Sequence, residues 1–192
     1  MSINYIQQHL SESVQVLQLL QESSTLTPTI DTAAAMMTQA LRAGNKILFC
    51  GNGGSAADSQ HLAAEFSGRF LRDRQPLAAM ALTVDSSALT AIGNDYGYEH
   101  VFSRQVTGIG RSGDVLVAIS TSGESANVVE AAKAARHKGI HVIALTGANG
   151  GALAAEADLR INVPAERTDL VQQAHITVGH ILCGLVEKTI SD

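Results

Sequence analysis

Apolar and polar positions along the chain recur at two different periods. Over residues 1–23, Ile3, Ile6, Leu10, Val14, Leu17 and Leu20 follow one another at spacings of three and four, the signature of an amphipathic helix. A turn is expected around Thr27-Pro28, and a second helix from Asp31 through Met36, Met37 and Leu41, stopping at Gly44 as a C-terminal cap. Beyond Gly44 short apolar runs alternate with helical stretches. Strands are predicted at 46–50, 78–83, 114–119, 141–145 and 159–163. Helices are predicted at 56–70, from Ser86, at 98–106, at 126–138 ended by Gly139, after Gly150-Gly151, and at 170–190, with Leu62, Phe66 and Phe70 as the apolar stripe of the first.

Strands separated by helices require right-handed crossovers, hence a parallel sheet with helices on both faces. Val115-Leu116-Val117-Ala118-Ile119 has no polar break, as a strand covered on both faces demands. The fold class expected is therefore α/β, a single doubly wound domain whose α/β core spans 45–192 behind a helical extension at 1–44. That extension either packs against a neighbouring subunit or covers its own sheet, and the pattern leaves both open.

Composition narrows the functions. The 192 residues are 45% hydrophobic and 16% charged, which suits one domain with a sizeable core. A net charge of −5 argues against direct nucleic-acid binding and against long-range steering of anions, so any phosphate must be caught by local N–H groups and dipoles. No apolar stretch approaches membrane-spanning length and the N-terminus lacks a basic segment followed by an apolar one, so a cytoplasmic location is expected. Cys50 and Cys183 are expected as reduced, buried thiols.

Three segments carry chemistry. The loop Gly51-Asn52-Gly53-Gly54-Ser55 follows the first core strand, and the helix behind it presents His61 and Glu65 on one face, one turn apart. A dinucleotide fingerprint fits poorly, because the acidic residue it needs is displaced to Asp85, and no Lys-Ser or Lys-Thr follows to make a Walker A loop. Ser120-Thr121-Ser122-Gly123-Glu124-Ser125 joins the third strand to a helix and places four hydroxyls at its N-terminus, an anion site of phosphate size. Gln172, His175 and His180 lie on the closing helix, where Gln172 and His180 share a broad face two turns apart. Each has a plain structural alternative: a tight turn for the glycine loop, an N-cap for Ser125, and a hydrogen-bonded, partly buried residue for either histidine.

Taken together, Cys50-Gly-Asn-Gly-Gly-Ser55, His61-x-x-x-Glu65, Gly93-Asn94-Asp95, Ile119-Ser-Thr-Ser-Gly-x-Ser125 and Gln172…His180 closely resemble the phosphoheptose isomerases of the sugar isomerase (SIS) superfamily, over essentially the whole chain. The resemblance implies a five-stranded parallel sheet flanked by helices, in a homotetramer with active sites at subunit interfaces. It implies conversion of sedoheptulose 7-phosphate to D-glycero-D-manno-heptose 7-phosphate, the first step toward nucleotide-activated heptose for lipopolysaccharide. Glu65 and His180 would be the acid/base pair, and Ser120, Thr121, Ser122 and Ser125 the phosphate loop. Asn52, Gly53, Gly54, Ser55, Asn94, Asp95 and Gln172 would contact the sugar, with Glu65, Arg69 and Asp169. One zinc per subunit would use His61, Glu65, Gln172 and His180. The chain departs from the resemblance in a 72–76 stretch longer by one residue, and in Leu170, where arginine is frequent.

The chemistry explains the residue types. Aldose–ketose interconversion takes a proton from the carbon beside the carbonyl and returns it to the neighbouring carbon through an enediol. A carboxylate performs that transfer, and a second acid/base group moves protons on the oxygens. The rival reading is a non-catalytic relative in the same superfamily that binds the bacterial replication initiator. That relative lacks the carboxylate found here as Glu65. Arabinose phosphate isomerases, the rival among enzymes, usually carry additional domains.

Overall fold

The computed structural model describes residues 2–192, so Met1, where the first predicted helix begins, lies outside the described residues. The expected α/β architecture is the observed one. Strands β1 (Ile47–Gly51), β2 (Ala79–Ala81), β3 (Val115–Ser120), β4 (His141–Thr146) and β5 (Leu159–Asn162) form one sheet in the order β2-β1-β3-β4-β5, every neighbouring pair parallel. Residues of β1 and β3 are buried throughout. Their period of two sends alternate side chains into two cores. Ile47, Phe49, Val115, Val117, Ile143 and Leu145 pack under α1 (Ser2–Glu22), α2 (Leu26–Arg42), α3 (Gly54–Ser67) and α8 (Thr168–Ser191). Leu48, Cys50, Leu116, Ala118, Val142 and Ala144 pack under α4 (Ser86–Tyr96), α5 (Ser103–Ile109), α6 (Ala126–His137) and α7 (Gly151–Ala155).

One buried carboxylate sets the two central strands level. Asp114, just before β3, accepts hydrogen bonds from the backbone N–H of Lys46 (3.0 Å) and of Arg111 (2.8 Å), and pairs with Lys46 Nζ at 2.6 Å. With β1 and β3 pinned at their starts, Gly51 and Ile119 emerge side by side at the other end.

Most predicted boundaries lie within one or two residues of the observed ones, and four expectations need correction. Thr27-Pro28 is not a turn. It lies in the first turn of α2, where proline's missing N–H has no helical partner to lose, and the break comes earlier, at Ser23, whose hydroxyl accepts from Leu26 N–H at 3.1 Å. The second strand is three residues long, because the chain turns away after Ala81. The predicted helix at 98–106 is a 3₁₀ turn, Tyr98–His100, followed by α5. The first core helix ends at Ser67 before Gly68, so Phe70 leaves the helical stripe for the loop beyond it.

Of the two readings of the N-terminal helices, covering their own sheet holds for α2. α2 covers the chain's own sheet and α8 with Ala33, Ala34, Met37 and Ala40 buried. α1 commits only Val16 and Leu20 to the core, while Ile3, Ile6, Leu10, Val14 and Leu17 remain 39% to 68% exposed. No described helix is long and apolar enough to cross a membrane.

Candidate active site

The strand order reverses between β1 and β3: β1 leads outward to β2, and β3 begins the run in the opposite direction. The crevice beyond the carboxyl ends of such a strand pair is where open α/β sheets bind ligands. The glycine loop and the hydroxyl loop border it, and two carboxamides tie them together. Asn52 Nδ2 donates to Asn127 Oδ1 at 2.8 Å, and Asn127 Nδ2 donates back to Asn52 Oδ1 at 2.8 Å. Tyr98 hydroxyl also donates to Asn52 Oδ1, at 3.2 Å, bringing the 3₁₀ turn to the same rim. Across the loop from α8, the carboxamide of Gln172 lies over Gly54 so closely that a Cβ there would stand 2.6 Å from its nitrogen. A side chain at position 54 would push that carboxamide aside. Ser55 is buried beneath the loop in the first turn of α3.

The hydroxyl loop folds around its own side-chain hydroxyls rather than as a simple capped turn. Ser125 stands at the N-cap position of α6, yet its hydroxyl makes no cap and instead lies 3.0 Å from Ser120 Oγ. Ser120 Oγ accepts from Gly123 N–H at 3.1 Å, and Ser122 Oγ from Glu124 N–H at 3.1 Å. Thr121 accepts Gly147 N–H at its carbonyl, 3.0 Å, which holds the loop against the end of β4. Gly123 has φ +71, and a Cβ there would stand 2.1 Å from the Gly150 carbonyl oxygen, so only glycine fits. The loop ends on the first turn of α6, whose dipole favours a bound anion.

His61, Glu65 and His180 meet on the outer side of α3. His61 Nε2 lies 2.9 Å from His180 Nε2 and 3.3 Å from Glu65 Oε1, and all three donor atoms fall within 4.8 Å of one another. Two facing imidazole nitrogens share at most one proton, so the pair is satisfied by one hydrogen bond or by a cation between them. A tetrahedral ion with bonds of about 2.0–2.1 Å has donor–donor edges of roughly 3.3 Å, close to what the trio presents, and two imidazoles with a carboxylate are a zinc-type donor set. The group can therefore hold a metal. Phe70 lies parallel to His180, with 5.6 Å between ring centroids and 14° between planes.

The remaining expected residues are dispersed. Gln172 sits two turns before His180 with its carboxamide over Gly54, and the donor atoms of His61, Glu65 and His180 are brought together. Asn94 and Asp95 are exposed at the end of α4, with Asn94 Nδ2 donating to Asp95 Oδ1 at 2.7 Å. Arg69 is exposed on the loop after α3. Asp169 lies in the first turn of α8, eleven residues or about 16 Å before His180, within a charge cluster at α1. Arg167 Nε donates to its Oδ1 at 2.7 Å and pairs with Glu12, and His9 Nδ1 lies 3.6 Å from its Oδ2. The hydrogen bond from Arg167 holds the Asp169 carboxyl below its usual range. Leu170 is buried in the first core, and Arg167 beside it pairs with Asp169 and Glu12.

Other residues escaped the sequence reading. Asn127 gave no local signal, since its partner is 75 positions away. Asp58 did: it precedes His61 by three and Glu65 by seven, on the same face of α3. Its Oδ2 is enclosed without a hydrogen-bond partner, and burial raises its pKa against the opposing pull of His61 and His180. Glu187, buried on α8, and Arg74 form a charged cluster beneath the loop that carries Phe70. Both cysteines are buried free thiols, with burial pushing each up to about 12.

Comparison with known proteins agrees with this geometry. The SIS domain family model matches residues 11–147. The chain is 62% identical to the phosphoheptose isomerase of Rhodospirillum rubrum, over 85% of this chain and 87% of that protein. Its fold matches the solved phosphoheptose isomerase of Neisseria gonorrhoeae with TM-score 0.91 and 50% identity, covering 98% of this chain and 100% of the other. It also matches that of Francisella tularensis with TM-score 0.93 and 36% identity, covering 98% and 99%. A five-stranded parallel sheet whose switch point carries both loops and the His61–Glu65–His180 trio, together with identity of this order along nearly the whole length, places the chain in the phosphoheptose isomerase family of SIS-domain proteins.

Proposed function

We propose that the protein isomerises D-sedoheptulose 7-phosphate to D-glycero-D-manno-heptose 7-phosphate in the cytoplasm, the first step toward nucleotide-activated heptose for lipopolysaccharide. The observation that carries this reading is Glu65, a carboxylate held 3.3 Å from His61 and grouped with His180 beside two ligand loops at the switch point. Glu65 takes the proton from C1 of the ketose, giving an enediol across C1 and C2, and returns it to C2 to leave the aldose. His180 moves the proton between the two oxygens. The phosphate rests in the loop of Ser120, Thr121, Ser122 and Ser125, where α6 and the hydroxyls supply binding energy away from the reacting carbons and orient them. Asn52, Gly53, Gly54, Ser55, Asn94, Asp95 and Gln172 line the sugar's path, with Arg69 and Asp169 at its outer edge.

Zinc is the metal this donor set suits, held by His61, Glu65 and His180, with Gln172 reaching in from the loop side. When bound it polarises the carbonyl and stabilises negative charge on the enediol oxygens. The exposed apolar stripe of α1 supports a homotetramer in which 1–44 makes subunit contacts and the sites lie near the interfaces, outside an α/β core at 45–192. An initiator-binding, non-catalytic role has no such support, because Glu65 is present. Incubating the purified protein with sedoheptulose 7-phosphate and following aldose formation tests the proposal. A pull-down with the replication initiator in parallel tests the rival, and absence of turnover with capture of the initiator would reverse the assignment.

A further inference from the structure

Glu187 lies on α8 two turns beyond His180, so the two share a face of the helix. Its residue is 2% exposed, yet its carboxylate is richly served. Oε1 accepts Phe70 N–H at 3.0 Å, and Oε2 accepts Leu71 N–H at 2.8 Å and Arg72 N–H at 2.9 Å. Arg74 Nε stands 3.2 Å from Oε1 in an off-line ion pair. Burial opposes the charge, but the three N–H groups and Arg74 outweigh it and hold the carboxyl below its ordinary range. Arg74 in turn spreads its guanidinium over the end of α3. Nη2 donates to the Glu65 carbonyl at 2.7 Å, and Nη1 to the Phe66 carbonyl at 2.8 Å and the Gly68 carbonyl at 3.1 Å. These carbonyls fall where the helix has run out of N–H partners and its dipole is negative.

The cluster therefore touches the trio from two sides without belonging to it. Through three backbone N–H groups Glu187 fixes the loop that lays Phe70 parallel to His180, with the ring packed against Gly184 of α8. Through Arg74 it fixes the last turn of α3, which carries Glu65. We propose that Glu187 and Arg74 are positioning residues for the isomerisation, acting through Phe70 on His180 and through the end of α3 on Glu65. This rests on the isomerase reading above. Supports of this kind, one layer behind the reacting groups, are worth about 10- to 100-fold in activity.

The test compares wild type, Phe70→Leu, Phe70→Tyr, Glu187→Gln, Arg74→Lys and the Phe70→Leu/Glu187→Gln double variant in kcat and KM for sedoheptulose 7-phosphate, with thermal midpoints recorded alongside. Glu187→Gln and Arg74→Lys are expected to lower kcat by about 10-fold or more with KM changed less than about threefold. Phe70→Leu, which keeps apolar volume but loses the flat ring, is expected to lower kcat by roughly 10-fold, and Phe70→Tyr to retain it. Because Glu187 acts partly through Phe70, the double variant should fall no further than Glu187→Gln alone. The inference is overturned by native kcat in Phe70→Leu, by losses that multiply in the double variant, or by a rise in KM at constant kcat. Should Glu187→Gln or Arg74→Lys fail to fold, the Leu/Tyr pair at position 70 decides on its own. An inactive wild type would remove the isomerase reading and this inference with it, whereas an active wild type with unchanged variants removes only the inference.

Discussion

The carboxamides of Asn52 and Asn127 donate to each other at 2.8 Å in both directions, closing one rim of the crevice between the glycine loop and the start of α6. Asn127 is 3% exposed, so its side chain has no water to fall back on. Replacing it with leucine leaves the Asn52 amide half paired and releases the two loops from each other. Asn127→Leu is expected to raise KM several-fold and to cost about 0.5–1.5 kcal/mol of stability, the net worth of a hydrogen bond whose remaining partner is half-buried. Steady-state kinetics and a denaturant titration check both. An unchanged KM would mean that the pair is structural only.

The hydroxyl loop has a sharper steric test. At Gly123 both the positive φ and the contact a Cβ would make with the Gly150 carbonyl forbid a side chain. Gly123→Ala is expected to distort the cradle at a cost of roughly 1–3 kcal/mol and to weaken binding of the sugar phosphate far more than it changes folding. Calorimetric titration with the substrate or with inorganic phosphate reads this directly, and native affinity in the variant would place the phosphate elsewhere.

Metal content is separable from activity. Protein loaded with zinc and then gel-filtered is expected to carry one ion per subunit. His61→Gln, which removes a donor that faces both His180 and Glu65, should bind it about 10- to 100-fold more weakly. Atomic absorption after equilibrium dialysis measures the difference. Equal zinc in both proteins would take the ion away from this trio.

His175 predicts a pH dependence of folding. It is 1% exposed on α8, its ring nitrogens enclosed near the Thr146 carbonyl without a well-aligned hydrogen bond, and burial lowers its pKa to about 4. The unfolded chain takes up a proton near pH 6.5 that the folded chain refuses until about 4. Stability from the neutral ring is thus complete above about pH 6.5 and falls as pH drops toward 4, by about 3 kcal/mol at most. Carboxylates held low by partners, such as Glu187 and Asp169, add their losses only at lower pH. Denaturation midpoints between pH 7 and 5 should decline in the wild type and stay flatter in His175→Phe.

What could be read from the sequence was whatever is local. His61 and Glu65 were legible because a helix puts positions four apart on one face, and the two loops because glycines and hydroxyls cluster between an apolar run and a helix. The sheet followed from uninterrupted apolar strands. Contacts between distant segments were not legible. Gln172 over Gly54, Asn127 against Asn52, and Glu187 beneath the Phe70 loop each join positions 75 or more apart, and no spacing rule reaches that far. Phe70 shows the limit from the other side. It continued the stripe of Leu62 and Phe66, but the helix stops before Gly68, and tertiary packing against His180 took it over.

The isomerase reading makes Glu65 a base and not one more ligand around a sugar phosphate. Turnover of sedoheptulose 7-phosphate by Glu65→Gln, measured beside calorimetric binding of the same substrate, tests it most directly. Glu65→Gln is expected to lower kcat by about 10²- to 10⁴-fold, the range general acid–base groups contribute, with phosphate-dependent binding largely retained. Near-normal turnover in that variant would contradict it.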